Sequence, residues 1–400
     1  MIPPRVDAYR DIAPRGNLDL LLKLAERLRG RRFVHINTSR FGAGSAELLN
    51  RIVPMLQDLG IDACWEVIVG TADFYAAVAQ LERGVAGAGP AAADATLRAY
   101  GEGVATNAAT LPLDADLVMT HDVAPLALVR HRPRRGQWVW RCHSDLSVAY
   151  RRTWSQLRHD LERYDAAIFS LPKFAQRLPI PTLIVHPSID PLSEKNRELS
   201  RADVAKVLDR LGIPRDKPIV VQVSSFTHGK DPVGVVRAYR LARKYVDCRL
   251  VLAGWGANGH PEGQAVLSEI SEAAGGDAEV HVLRLPPDAA IEINALQRAA
   301  TVVVHRPLRE DFGLSVAESM WKGKPVVGSF AGGIPAQVIH EVTGFAVTSV
   351  EGAAFRIRQL LEDPELATRL GGAGREYVRR SFLITRHLGD YLAVLASLTT

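Results

Sequence analysis

Short runs of apolar and β-branched residues, regularly spaced, constrain the fold of this chain more than any other feature. In the first half they are "FVHIN" (33–37), "CWEVIV" (64–69), "DLVMTH" (116–121), "WVWRCH" (138–143), "AAIFSL" (166–171) and "TLIVHP" (182–187). The pattern restarts with "PIVVQVSSF" (218–226), "RLVLAG" (249–254), "EVHVLRL" (279–285), "TVVVHRP" (301–307), "KPVVGS" (324–329) and "GFAVTS" (344–349). Most of these runs are apolar throughout rather than alternating, as parallel strands covered on both faces are. Helix-length segments separate them, so each half predicts an α/β fold with a doubly wound, Rossmann-like sheet. Between the halves, "PSIDPLSEKNRELS" (187–200) is polar, carries two prolines and reads as a linker. The predicted organisation is a first domain over 1–187, a linker over 188–200 and a second domain over 201–385. A final amphipathic helix over 386–400 is expected to pack back on the first domain. Two such domains would face a cleft lined by the C-terminal ends of their strands, where open α/β sheets bind ligands.

Composition narrows the function classes. A length of 400 residues suits two domains, and 47% hydrophobic with 23% charged residues is ordinary for a globular chain. The formal charge is +5, but the basic residues are scattered apart from clusters such as "RHRPRRG" (130–136), which argues against nucleic acid as a partner. A modest positive balance suits phosphorylated or nucleotide ligands. Cys64, Cys142 and Cys248 are far apart and form no CxxC pair, which argues against a disulfide framework or a structural zinc site. The N-terminus lacks an apolar signal region, and no apolar run approaches ~18 residues. A soluble, cytoplasmic protein with no membrane partner is expected.

Several turns following the expected strands carry candidate chemistry. After the first, Gly42-Ala43-Gly44-Ser45 leads into an amphipathic helix, where glycines admit close ligand approach and free amides face it. The same segment reads equally as a plain strand-to-helix turn, since the full dinucleotide fingerprint is absent. "MTHDVAP" (119–125) delivers His121 and Asp122, and "WRCHSDLS" (140–147) delivers Arg141, His143 and Asp145, to the sheet's C-terminal edge. Neither cluster has metal-ligand spacing. In "VSSFTHGKDPVG" (223–234), Lys230 precedes a helix and could grip phosphate, or be a solvated turn lysine. The richest stretch is "REDFGLSVAESMWKGKPVVG" (309–328), in which Glu310 sits beside Phe312-Gly313 and Glu318 falls inside the next helix. At that separation two carboxylates can each bind sugar hydroxyls, act as an acid/base pair, or decorate a surface helix. "SFAGGIPAQVI" (329–339) adds another glycine turn.

Glu-x7-Glu ahead of "KGKPVVG", followed by Gly332-Gly333-Ile334, resembles the retaining nucleotide-sugar glycosyltransferases of the GT-B fold. "HINTSRFGAGSAELL", "WRCHSDLS", "HPSIDPLSEKN", "INALQRAATVVV" and "FLITRHLGDYL", in order along nearly the whole chain, resemble one member group, the trehalose glycosyltransferring synthases. The resemblance implies transfer of a glucosyl unit from a nucleoside-diphosphate sugar to the anomeric hydroxyl of a sugar, giving an α,α-1,1 disaccharide. It implies an acceptor-binding first domain and a donor-binding second one. It assigns Glu310, His143 and Lys230 to catalysis, with Glu310 holding the donor sugar and His143 near the anomeric centre. Glu318, Ser225, Gly313, Leu314 and Arg306 would bind the donor, Glu318 on the ribose. Gly42, Gly44, Ser45, Asp122, Arg141 and Asp145 would face the acceptor. The donor is a substrate, and neither a cofactor nor a metal is expected. A homodimer is compatible with these features.

Departures from the family pattern concern the same places. Ser225 stands where the family usually has an arginine that partners the lysine on the diphosphate, and His228, Arg306 or Arg309 are the available substitutes. "FGAGS", "CHSD" and "AGWGANGHPEG" (253–263) also differ. They motivate three alternatives: a transferase acting on an amino sugar or aminocyclitol, a retaining trehalose-type phosphorylase, and a degenerate nucleotide-sugar-binding regulatory protein.

Overall fold

The computed structural model describes residues 5–41, 44–256, 261–286 and 288–398. The chain divides into two compact units, Met1–Ser188 with Ile384–Thr400, and Ile189–Leu383. The first contains β1 (Arg32–Asn37), β2 (Asp62–Val67), β3 (Leu117–His121), β4 (Gln137–Arg141), β5 (Ala166–Phe169) and β6 (Thr182–Ile184). They form one sheet in the order β2-β1-β3-β4-β5-β6, with every pairing parallel. The second contains β7 (Ile219–Val223), β8 (Arg249–Gly254), β9 (Val280–Arg284), β10 (Val302–His305), β11 (Val326–Ser329) and β12 (Phe345–Val347). Its order is β12-β11-β10-β7-β8-β9, again all parallel. All the expected strands are present, and the fold is two Rossmann-like α/β units of the GT-B type.

Burial explains why the apolar runs became strands. β7 and β10 are buried at every residue, as central strands covered by helices on both faces must be. Trp138, Val139 and Trp140 of β4 are likewise enclosed, and Trp140 meets Phe169 edge-on with centroids 5.7 Å apart, worth roughly 1 kcal/mol beyond area burial. The outer strands β6 and β9 are only partly covered, whereas β12, also at an edge, is buried throughout.

Of the stretch expected as a linker over 188–200, Ser188 closes the first unit and the rest is built into the second. Ile189 donates its amide to Phe382 O at 2.8 Å. The Asp190 carbonyl accepts from Ser193 Oγ at 2.8 Å and from Asn196 Nδ2 at 3.1 Å, and all three residues are buried. Asn294 Nδ2 donates to the carbonyls of Glu194 and Arg197, both at 2.9 Å. The polar composition that suggested exposure serves to satisfy the backbone of a tight, buried turn. The terminal helix, Ile384–Leu398, belongs to the first unit, where it packs on the helix Asn17–Leu28. No helix among the described residues is long and apolar enough to cross a membrane.

Candidate active site

Each sheet reverses its winding once. In the second unit the reversal lies between neighbours β7 and β10, and in the first between β1 and β3. Ligands of open α/β sheets bind beyond the carboxyl ends of strands at such a reversal. The candidate residues gather at both places.

In the second unit, β7 runs into a loop that carries Ser225, partly buried, and then Lys230. Asp231 adopts a left-handed backbone, φ 48°, and its carboxylate accepts from Gly234 N at 3.1 Å, capping the helix Pro232–Arg243. That cap fixes the residue beside it. Lys230 Nζ donates to both Glu310 oxygens at 2.8 Å, and His305 Nε2 lies 2.7 Å from Glu310 Oε2. The Glu310 side chain is only 8% exposed, so it is not surface decoration. Burial pushes its acidity toward the neutral form, but the hydrogen bond and charge of His305 and the charge of Lys230 outweigh it and bring the carboxyl down to about 2. Since an ionised carboxylate only accepts, His305 Nε2 donates to it, and the buried His305 Nδ1 has no hydrogen-bond partner.

Two glycines hold the Glu310 loop. Gly313 has φ 80° and begins the helix Leu314–Trp321 with no side chain capping its amides; Leu314, partly buried, is the first helical residue. Gly332 has φ 48°, and a Cβ there would stand 2.0 Å from Glu310 O and 2.3 Å from Asp311 O. The second glycine turn thus presses against the backbone of Glu310 itself. Arg306 is buried in an ion pair with Asp231 at 2.5 Å. His228 meets Glu262 at 3.3 Å and Glu269 at 3.1 Å. Both of these substitutes for the family arginine are therefore engaged by carboxylates, while Arg309 is exposed.

Glu318, 6% exposed, lies in a separate cluster, with Lys195 Nζ 3.6 Å from Oε1. Lys322 Nζ donates to Asn196 Oδ1 at 2.9 Å and to Glu318 O at 3.1 Å. Burial lowers its ammonium to about 7, with the Glu318 charge opposing. The turn read as a linker supplies two of the partners here.

In the first unit, Asp122 has φ 60°, and its Oδ1 accepts from His143 N at 2.8 Å while its carbonyl accepts from Trp140 Nε1 at 2.8 Å. These bonds tie the ends of β3 and β4 together. His121 Nδ1 lies 3.0 Å from His143 Nε2, and His121 Nε2 lies 3.0 Å from His35 Nδ1. Burial holds all three imidazoles neutral, His35 down to about 3, and the nearby Arg141 charge lowers His121 and His143 further. Arg141 is fully buried; its Nη2 donates to Val185 O at 2.9 Å, and its Nε and Nη1 have no hydrogen-bond partner. Asp145 accepts from Ser147 N at 2.8 Å. Gly44, φ 77°, precedes the helix Ser45–Asp58, and Ser45 Oγ lies 3.5 Å from Asn37 Nδ2. Gly42 lies outside the described residues, as do residues 257–260 of the departing glycine-rich turn.

The structure thus brings Lys230 to Glu310 and Asp122 to His143, and it places Glu318 in a cluster of its own. Sequence reasoning missed His305, His35, Asp231, Lys195 and Lys322. A histidine ending an otherwise apolar strand was the available signal for His305, and a histidine inside an apolar strand for His35.

Similarity to known proteins reaches into both units. Residues 35–176 match the family described as trehalose synthase, N-terminal domain, and residues 203–377 match glycosyl transferases group 1. The trehalose synthase of Pyrococcus horikoshii is 37% identical over 404 residues, covering 98% of this chain and 96% of that protein. That of Rubrobacter xylanophilus is 37% identical over 402 residues, with the same 98% and 96% coverage. The structure of Anabaena HepE in complex with UDP-glucose superposes with a TM-score of 0.70 at 20% identity, covering 92% of this chain and 100% of that one, a likeness of fold. The chain belongs to the trehalose synthase family of group 1 glycosyltransferases.

Proposed function

We propose that the protein moves a glucosyl-type unit from a nucleoside-diphosphate sugar to the anomeric hydroxyl of a sugar acceptor, with retention, forming trehalose or a related α,α-1,1 disaccharide. The observation that carries this reading is the ionised Glu310 held between Lys230 and His305 where β7 and β10 diverge. A carboxylate kept charged in a buried site suits a reaction centre that becomes positive as the sugar leaves its phosphate. The sugar's C1–O bond to the diphosphate breaks, a C1–O bond to the acceptor forms, and the acceptor's proton passes to the leaving diphosphate. The diphosphate competes with Glu310 for Lys230 and takes the uncapped amides at Gly313 and Leu314. Glu318 holds the nucleotide ribose, its charge balanced by Lys195. His143 binds a hydroxyl of the sugar. The reading assigns the diphosphate's charge to these groups and gives no step to a metal or cofactor. UDP-glucose, the ligand of HepE, is the first donor to try.

Incubation with UDP-, GDP- or ADP-glucose and glucose should yield a non-reducing disaccharide, identified by mass spectrometry and by the NMR of its anomeric protons. Cleavage of trehalose by inorganic phosphate, with no use of any nucleotide sugar, would replace this reading with a phosphorylase. Nucleotide-sugar binding in calorimetry without transfer to glucose, amino sugars or aminocyclitols would replace it with a binding protein.

A further inference from the structure

Two buried histidines of the first unit, His35 and His121, and the partly buried His143 form an unbroken line of ring-to-ring hydrogen bonds. Their rings come from β1, the end of β3 and the turn after β4, and both N···N distances are 3.0 Å. Each ring is neutral, so each has one N–H and one bare nitrogen. Every bond in the line needs one of each. Only two arrangements satisfy both bonds. In the first, His35 Nδ1–H donates to His121, and His121 Nδ1–H donates to His143 Nε2. His143 then carries its own proton on Nδ1. In the second, every proton moves to the opposite nitrogen, and His143 Nδ1 is bare.

The far end of the line decides between them. His35 Nε2 is buried with no hydrogen-bond partner, and its ring lies between Phe33, 4.1 Å away, and Tyr391, 6.3 Å away. In the second arrangement that nitrogen is an orphaned N–H, while in the first it is an orphaned acceptor. Buried donors without partners are the rarer of the two.

We infer that His35 and His121 are positioning residues that hold His143 in the Nδ1–H form, so that it meets its ligand as a hydrogen-bond donor and not as a base. The ligand side of this inference rests on the reading that His143 binds the sugar, whereas the proton positions do not. A donor at this place binds a sugar oxygen and leaves the acceptor's proton to the diphosphate.

The test uses the full chain labelled with 15N-histidine, with ring signals assigned through His35→Asn, His121→Asn and His143→Asn. The nitrogen shifts should show protonated Nδ1 and bare Nε2 in His35, His121 and His143 of the unmodified protein. In His35→Phe, which offers no donor, His143 should shift toward the Nε2–H form, and kcat should fall roughly tenfold, about the weight of one hydrogen bond, with the donor KM little changed. His35→Asn, whose amide N–H can take the place of Nδ1–H, should restore both. A bare Nδ1 in His143 of the unmodified protein overturns the inference, as does a His143 signal that ignores His35→Phe. If no nucleotide sugar is turned over, the functional reading fails, while the nitrogen shifts still decide the proton positions.

Discussion

At the carboxyl edge of the second sheet a carboxylate, an ammonium and an imidazole meet, and charge decides where each proton sits. At that of the first, three imidazoles meet, and each proton is placed only by the next ring. The difference teaches what each site tolerates. Glu310 is stabilised by ionisation, so it keeps its form far into acid. The histidines are stabilised by neutrality, so acid acts against them.

The largest expected effect follows from that contrast. Burial depresses His35, His121, His143 and His387, all in the first unit, below the ordinary value of 6.5. Unfolding lets each take a proton near pH 6.5, so their contribution to stability is present above that pH and lost as pH falls. Each histidine that stays unprotonated in the fold costs up to ~1.4 kcal/mol per pH unit. Glu310 is depressed too, but for a carboxylate the stabilisation is full above about 4.5 and is lost only toward about 2. Hydrogen exchange followed from pH 7.5 to 5.0 should therefore show β1, β3 and β4 losing protection while β7 and β10 keep theirs. Simultaneous loss in both sheets would break the comparison.

A second effect separates the two carboxylates of the second unit. Glu310→Gln should lower turnover by roughly two to three orders of magnitude while leaving nucleotide affinity within a few-fold. Glu318→Ala should instead weaken nucleotide binding by about tenfold, with the smaller effect on kcat. Steady-state kinetics with calorimetry of the diphosphate reads both quantities, and equal loss of both in both variants contradicts the assigned roles.

The smallest effect concerns Lys322, lowered from 10.5 to about 7 by burial. Between those values the unfolded chain holds the proton more tightly than the folded one, so stability rises with pH across this window. The burial penalty is full below pH 7. Lys322→Met should flatten that slope, which chemical denaturation at pH 7.5 and 9.5 would register as up to about 2 kcal/mol less gain than in the unmodified chain. An unchanged slope would show that another group titrates there.

Local pattern made much of this legible. Apolar β-branched runs marked all the strands, because a strand covered on both faces needs apolar residues at consecutive positions. Turns after those strands marked Lys230, Glu310 and His143, because the ends of strands are where a sheet exposes chemistry. The linker expected over 188–200 failed for a physical reason: Asp190, Ser193 and Asn196 are polar because they satisfy buried backbone groups, and composition does not distinguish that from exposure.

By itself, then, the sequence determined the class of fold, the strands and the loops that carry the candidate chemistry, since each depends on neighbouring residues. Only the tertiary structure decided which side chains meet. His35 and His121 are 86 residues apart, and Lys230 and Glu310 are 80 apart. They meet because β1 pairs with β3 and β7 with β10, and strand order is set by packing across the whole unit, with no trace in any local window. "REDFGLSVAES" announced two carboxylates, Glu310 and Glu318; the sheet order gave the first of them Lys230, beside the His305 already close in sequence.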